Sequence, residues 1–129
     1  MPAIAIITIN DGASTPVAHN FSPVNAAGGI GTFKERVGAN PDAYPTLSVS
    51  VREPSKTQSV YQVEEKIRVP VTAVIDGVTK VVRFNEAIVT YKLHRESAEQ
   101  ERKDLRVLIA NLQAHNATVQ AVEKLEPQY

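Results

Sequence analysis

Partway along this chain the spacing of apolar residues changes from two to about 3.6, and that change limits what the chain can fold into. Leu47, Val49 and Val51 alternate with Ser48, Ser50 and Arg52. Farther on, Tyr61, Val63, Ile67 and Val69 alternate with Gln62, Glu64, Lys66 and Arg68, with Glu65 interrupting the apolar side. Successive strand residues point to opposite sides, so each segment predicts a strand with one apolar and one polar face. Val71–Ile75 and Val78–Leu93 flank Asp76-Gly77, a dipeptide suited to a tight reversal. The second arm is again two-faced, with Ala87, Val89, Tyr91 and Leu93 against Ile88, Thr90, Lys92 and His94. Pro70 is expected to break the ladder or to sit at an edge.

From Ser97 the spacing is helical. Leu105, Leu108, Ile109 and Leu112 form one apolar stripe, while Glu101, Arg102, Lys103 and Arg106 fill much of the remaining surface. Ser97 with Gln100 predicts a capping box, His115-Asn116 ends the helix, and Ala117–Lys124 reads as a second, short helix stopped by Pro127. In the first half, turn residues recur at short intervals among β-branched ones. Met1–Ile9 reads as a strand, since it lacks a positive leader and meets Asn10-Asp11-Gly12 too early for a signal peptide or membrane span. Ala3–Asn10, the turn Asp11–Ser14 and Val17–Phe21 predict a hairpin. Ser22–Gly31 reads as a small, polar loop turning at Gly28–Gly31, Thr32–Val37 as a short strand, and Gly38–Pro45 and Glu53–Ser59 as connections.

The 129 residues suit one domain with one modest core. Lys plus Arg and Asp plus Glu both number 14, so no global field announces a polyanionic partner, and any nucleic-acid contact must be a local patch. With no Cys, disulfides and thiolate chemistry are excluded. His19, His94 and His115 lack metal-ligand spacing, Glu64-Glu65 and Glu99/Glu101 come with no nucleophile or apolar pocket, and Gly28–Gly31 lacks the Lys-Ser/Thr of a phosphate loop. Neither catalysis, a metal nor a cofactor is expected.

Antiparallel strands followed by two helices make an α+β plan with one sheet face covered and the other open. The two short helices offer little area to cover several long strands, and the last strand leaves an unpaired edge that invites association. Pairing of two copies through that edge, with helices laid across the partner, would answer both problems.

The order of elements, Pro45-Thr46-Leu47-Ser48-Val49-Ser50-Val51-Arg52-Glu53, the strand ending Lys66-Ile67-Arg68-Val69-Pro70, and Ser97–Leu112 after a long strand resemble the coat proteins of the RNA bacteriophages, the leviviruses. The resemblance spans nearly the whole chain and implies that residues 1–129 form a single coat protein domain. It implies an N-terminal hairpin (1–22), a five-stranded antiparallel sheet (32–94) and two C-terminal helices (97–125). Two subunits would intertwine through a continuous ten-stranded sheet, helices outside and sheet facing the genome. By the same resemblance the dimers close into an icosahedral shell in the bacterial cytoplasm, package single-stranded RNA in the virion, and repress translation by binding an RNA hairpin, with no membrane partner. Carried over position by position, it implies RNA contacts at Ser48, Ser50, Arg52, Gln62, Lys66, Arg68, Thr90 and Lys92. The stripe Leu105, Leu108, Ile109 and Leu112 is expected to pack in the core or the dimer in either reading. Tyr91 falls with the core residues, so no base-stacking Tyr is matched, and the Asp76-Gly77 connection is shorter than the loop usual in the family. Alternation alone leaves two alternatives open: a merely solvated sheet face, and a cellular dimeric binding module that forms no shell.

Overall fold

The computed structural model describes residues 3–38 and 40–127. It divides into two compact units, one through Lys92 and one from Leu93 onward. The first carries six strands in sequential order: β1 (Ile7–Asn10), β2 (Ala18–Ala27), β3 (Ile30–Lys34), β4 (Thr46–Arg52), β5 (Val60–Ile75) and β6 (Val78–His94, whose last two residues fall in the second unit). The second carries helices α1 (Glu99–Ala114) and α2 (Asn116–Glu123). The α+β class and antiparallel plan expected from the sequence are those observed. β2 is both an arm of the N-terminal hairpin and the first strand of the five-stranded sheet β2–β6.

The core follows from register. Phe33 pairs with Leu47 and Leu47 with Ile67, which sets three apolar side chains in one row across β3, β4 and β5. Ile7 pairs with Phe21 in the hairpin and joins the same cluster. Phe21, Phe33 and Leu47 are the buried hydrophobics among the described residues, with Ile7, Val49 and Ile67 half-buried against them.

Several expectations are corrected. Ser22–Gly31 is not a loop: β2 runs on to Ala27, and β3 starts at Ile30 after a reversal at Gly28-Gly29, both at positive φ. Only glycine enters that conformation without steric cost. A register shift between Pro23 and Asn25 absorbs the missing N–H of Pro23. The strand expected over Thr32–Val37 spans Ile30–Lys34, because Glu35 turns away to meet His19. The strand expected from Ala3, or from Met1, begins at Ile7; residues 3–6 line an apolar recess beside Gly28–Gly31 instead of joining a ladder. Met1 and Pro2 lie outside the described residues.

Pro70 does not break β5. The pairing with β4 ends at Thr46 opposite Arg68, so Pro70 stands beyond the last β4 partner, the edge position open to proline. The capping box at Ser97 is also absent. The N-cap is Ala98 without a side-chain bond, because Ser97 Oγ donates to the His94 carbonyl 2.6 Å away and Gln100 donates to Asp104. Arg102 donates to the Ser97 carbonyl, tying the turn to the first helical turns. His115 ends α1 and caps α2, its Nδ1 accepting from the Ala117 N–H at 3.0 Å.

Candidate nucleic-acid interface

Directly opposed residues in a ladder share a face. Lys34, Thr46 and Arg68 therefore form one row of the polar face, Thr32, Ser48 and Lys66 the next, and Ser50 with Glu64 and Arg52 with Gln62 the following two. Ser22 and Asn25 extend the first two rows onto β2. On β6, Glu86 Oε1 lies 3.5 Å from Lys66 Nζ, and the Phe84 ring centroid lies 3.6 Å from the Arg68 guanidinium carbon. Phe84 and Glu86 thus belong to this face, and alternation along β6 carries Thr90 and Lys92 to the same side. The antiparallel course of β6 places those two toward the end where Arg52 and Gln62 pair. Tyr91 falls on the opposite side with Val89 and Leu93, and all three are half-buried.

All eight positions singled out from the sequence thus map to one face. Reasoning from sequence missed others, among them Thr32, Lys34, Phe84 and Glu86. Thr32 and Lys34 flank buried Phe33, and that local alternation was the available signal. Phe84 stands two residues before Glu86 in a stretch apolar on both sides, which hid its orientation.

The face combines two chemistries. Lys34, Arg52, Lys66, Arg68 and Lys92 supply positive charge against two carboxylates, Glu64 and Glu86. The excess is local, since the whole chain has a formal charge of zero. Phe84, 49% exposed, offers an aromatic surface that the Arg68 guanidinium already engages by a cation–π contact. Beside this pair opens a recess of about 360 Å³ lined by Asp42, Tyr44, Thr46, Arg68, Pro70 and Phe84, among others. Cations for phosphate, hydroxyls for ribose or base edges, and a stacking surface are what binding to unpaired nucleotides requires. Among the described residues no cluster of His, Cys, Asp and Glu could hold a metal ion, and no helix is long and apolar enough to cross a membrane.

The core packing expected of Leu105, Leu108, Ile109 and Leu112 is corrected within the chain: they lie along α1, where no residue is buried, Ile109 is half-buried and Leu108 is 66% exposed, because an apolar stripe sets a helix face without supplying what covers it. α2 likewise buries none. β6 ends the sheet order, so among the described residues its outer edge pairs with no strand over 17 positions.

A sheet with one apolar and one cation-bearing polar face, followed by two helices, is the fold of the coat subunits of RNA bacteriophages. The levivirus coat protein family model matches residues 2–129, and the chain belongs to that family. The capsid protein of Escherichia virus Qbeta is 31% identical over 121 residues, covering 92% of this chain and 90% of that protein. The capsid protein of Qbeta virus strain MX1 is 29% identical with both chains fully covered. Among solved structures, the virus-like particle of Beihai levi-like virus 21 superposes with a TM-score of 0.90 at 29% identity, covering 99% of each chain. The bacteriophage GA capsid protein superposes with a TM-score of 0.77 at 18% identity, covering 97% of each chain, a likeness of fold. The chain is accordingly a capsid protein of a phage virion.

Proposed function

We propose that this coat protein dimerises edge to edge through β6, that the dimers close into an icosahedral shell, and that the polar face turns inward onto single-stranded RNA. The Ser48, Ser50, Arg52, Gln62, Lys66, Arg68, Thr90 and Lys92 positions make the contact, joined by Lys34 and Phe84. Cations bind phosphates, Ser and Thr hydroxyls meet ribose or base edges, and Phe84 stacks on an unpaired base. In its specific form this contact holds an RNA hairpin and represses translation.

The observation that carries the reading is the gathering of five cations and an exposed, Arg-stacked aromatic on one sheet face of a chain with no net charge. Dimerisation draws support from the surfaces the chain leaves open. A long unpaired edge strand and uncovered leucines on α1 are the surfaces such an interface would take. The likeness to the subunit of the Beihai levi-like virus 21 virus-like particle supports closure into a shell.

The test is expression of the protein alone in bacteria, followed by size exclusion, negative-stain microscopy and the absorbance ratio at 260 and 280 nm. Round particles rich in nucleic acid are expected. A triple substitution of Arg52, Arg68 and Lys92 to Ala should lower the nucleic acid content and leave dimers intact. A lone dimer peak without RNA would overturn the shell reading and favour a small binding module.

A further inference from the structure

Asp11, His19 and Glu35 form a hydrogen-bonded chain outside the polar face. His19 Nδ1 lies 2.8 Å from both Oε1 and Oε2 of Glu35, and Nε2 lies 2.9 Å from Asp11 Oδ2. Asp11 closes the N-terminal hairpin: its N–H donates to the Val17 carbonyl at 3.0 Å, and its Oδ1 accepts from the N–H groups of Ala13 and Val17. Glu35 follows β3, is buried, and is fixed by its own N–H donating to the Pro45 carbonyl at 3.0 Å. We propose that His19 is a pH-operated clip, which pins the hairpin turn 11–17 to buried Glu35 while the imidazole is protonated and releases the turn at Asp11 when the proton leaves.

The stereochemistry of imidazole carries the argument. Both ring nitrogens face carboxylates, and only the imidazolium has an N–H for each. The neutral ring keeps one N–H, and its other nitrogen becomes a lone pair facing a carboxylate oxygen. Environment decides which arm fails. The Glu35 side chain is 10% exposed and, among the described residues, no hydrogen bond other than that from His19 reaches its carboxylate, so the remaining proton stays at Nδ1. Asp11 is 36% exposed on its side chain and keeps water and two backbone donors, so that arm opens at little cost.

The surrounding charges sharpen the switch. Asp11 faces His19 from the end of β1 and Glu35 faces it from beyond β3, while the cross-strand partner of His19 is apolar Ile9. Lys34 and Arg36 flank Glu35 in sequence, yet among the described residues His19 is the one cation within 4.0 Å of either carboxylate. Among the described residues no other positive charge stands within that distance to replace it when it deprotonates. The bonds to Asp11 and then to Glu35 raise the His19 pKa above 6.5, so the closed clip is complete below that value and is lost as pH rises through the shifted one.

Hydrogen exchange read by mass spectrometry on the purified, assembled full chain tests this between about pH 5.5 and 9, with rates corrected for their intrinsic pH dependence. Protection of residues 11–17 should fall roughly threefold or more, with a midpoint above 6.5, while the β4 peptide stays flat. His19→Gln should show the low, open-state protection at every pH, and Asp11→Asn should move the midpoint downward. Flat protection of 11–17 in the unsubstituted protein would overturn the proposal, as would an unchanged pH profile in His19→Gln. The unsubstituted titration decides the matter even if a variant fails to assemble.

Discussion

Lys66 Nζ stands 3.5 Å from Glu86 Oε1, so a central cation of the polar face is already paired with a carboxylate of the same chain. The side chains are 43% and 27% exposed, and a pair so placed contributes at most about 1 kcal/mol to stability. Its effect on binding should be larger than its effect on folding. Glu86→Gln is expected to steepen the logarithmic salt dependence of RNA binding by about 0.7–0.9 per added phosphate contact. Fluorescence anisotropy with a single-stranded RNA across a salt series reads this, and an unchanged slope would show that Lys66 does not meet phosphate.

Phe84 lies under Arg68 with 49% of its surface exposed, so its ring is available to a base at little cost to the fold. Phe84→Ala should cost about 1–3 kcal/mol of binding, the worth of one stacked base, with particles still forming. Arg68→Lys keeps the charge but loses the planar contact and should fall between the two proteins. Equal affinity in all three would remove Phe84 from the interface.

How far the sequence discloses this arrangement depends on where information is local. β4 and the first half of β5 were legible because Leu47, Val49, Val63 and Ile67 must lie on one side, which forces Ser48, Ser50, Lys66 and Arg68 to the other. Ser22–Ala27 was not legible. Its small residues and Pro23 read as a loop, and it becomes a strand only by pairing with Ile30–Lys34 across Gly28-Gly29. Ser97 carried a capping signal that a competing acceptor, the His94 carbonyl, overrode. Phe84 was hidden because Val81, Val82, Phe84 and Ile88 are apolar on both sides of β6, so alternation gives no orientation there. The burial of Glu35 depends on a histidine 16 residues earlier in the chain, which no local pattern announces.

Gly29 holds the β2–β3 reversal at φ +79, and a Cβ there would come within 2.7 Å of the Val51 carbonyl oxygen. That carbon would press on the strand whose Val51 N–H donates to the Gly29 carbonyl at 2.9 Å. Gly29→Ala should therefore destabilise by about 1–3 kcal/mol. Gly12→Ala meets nothing within 4 Å and should stay within about 0.5 kcal/mol of the parent. Urea titrations of the two variants side by side give the comparison, and similar midpoints would contradict the geometry.

Asp11 accepts from Val17, His19 and Ala13, which lowers its pKa from 3.8 to about 2. A depressed carboxyl stabilises the fold above its unfolded value and loses that contribution as pH falls through the folded one. Stability of the hairpin should therefore decline between about pH 4 and 2, and Asp11→Asn should flatten that part of the profile. Thermal melts at successive acid pH values measure it. A parallel decline in the Asn variant would place the acid sensitivity elsewhere.

Leu108 is 66% exposed on α1, where a leucine facing only water could be replaced with a change of about 0.5 kcal/mol or less. The proposed dimer gives the opposite expectation, because an unpaired carboxylate trapped in an apolar contact costs several kcal/mol. Leu108→Asp should yield no particles, while Lys103→Asp, on the charged side of the same helix, should assemble normally. Light scattering after size exclusion separates the cases by mass. Normal particles from Leu108→Asp would mean that the leucine stripe remains in solvent, and edge pairing through β6 would then have to hold the dimer without it.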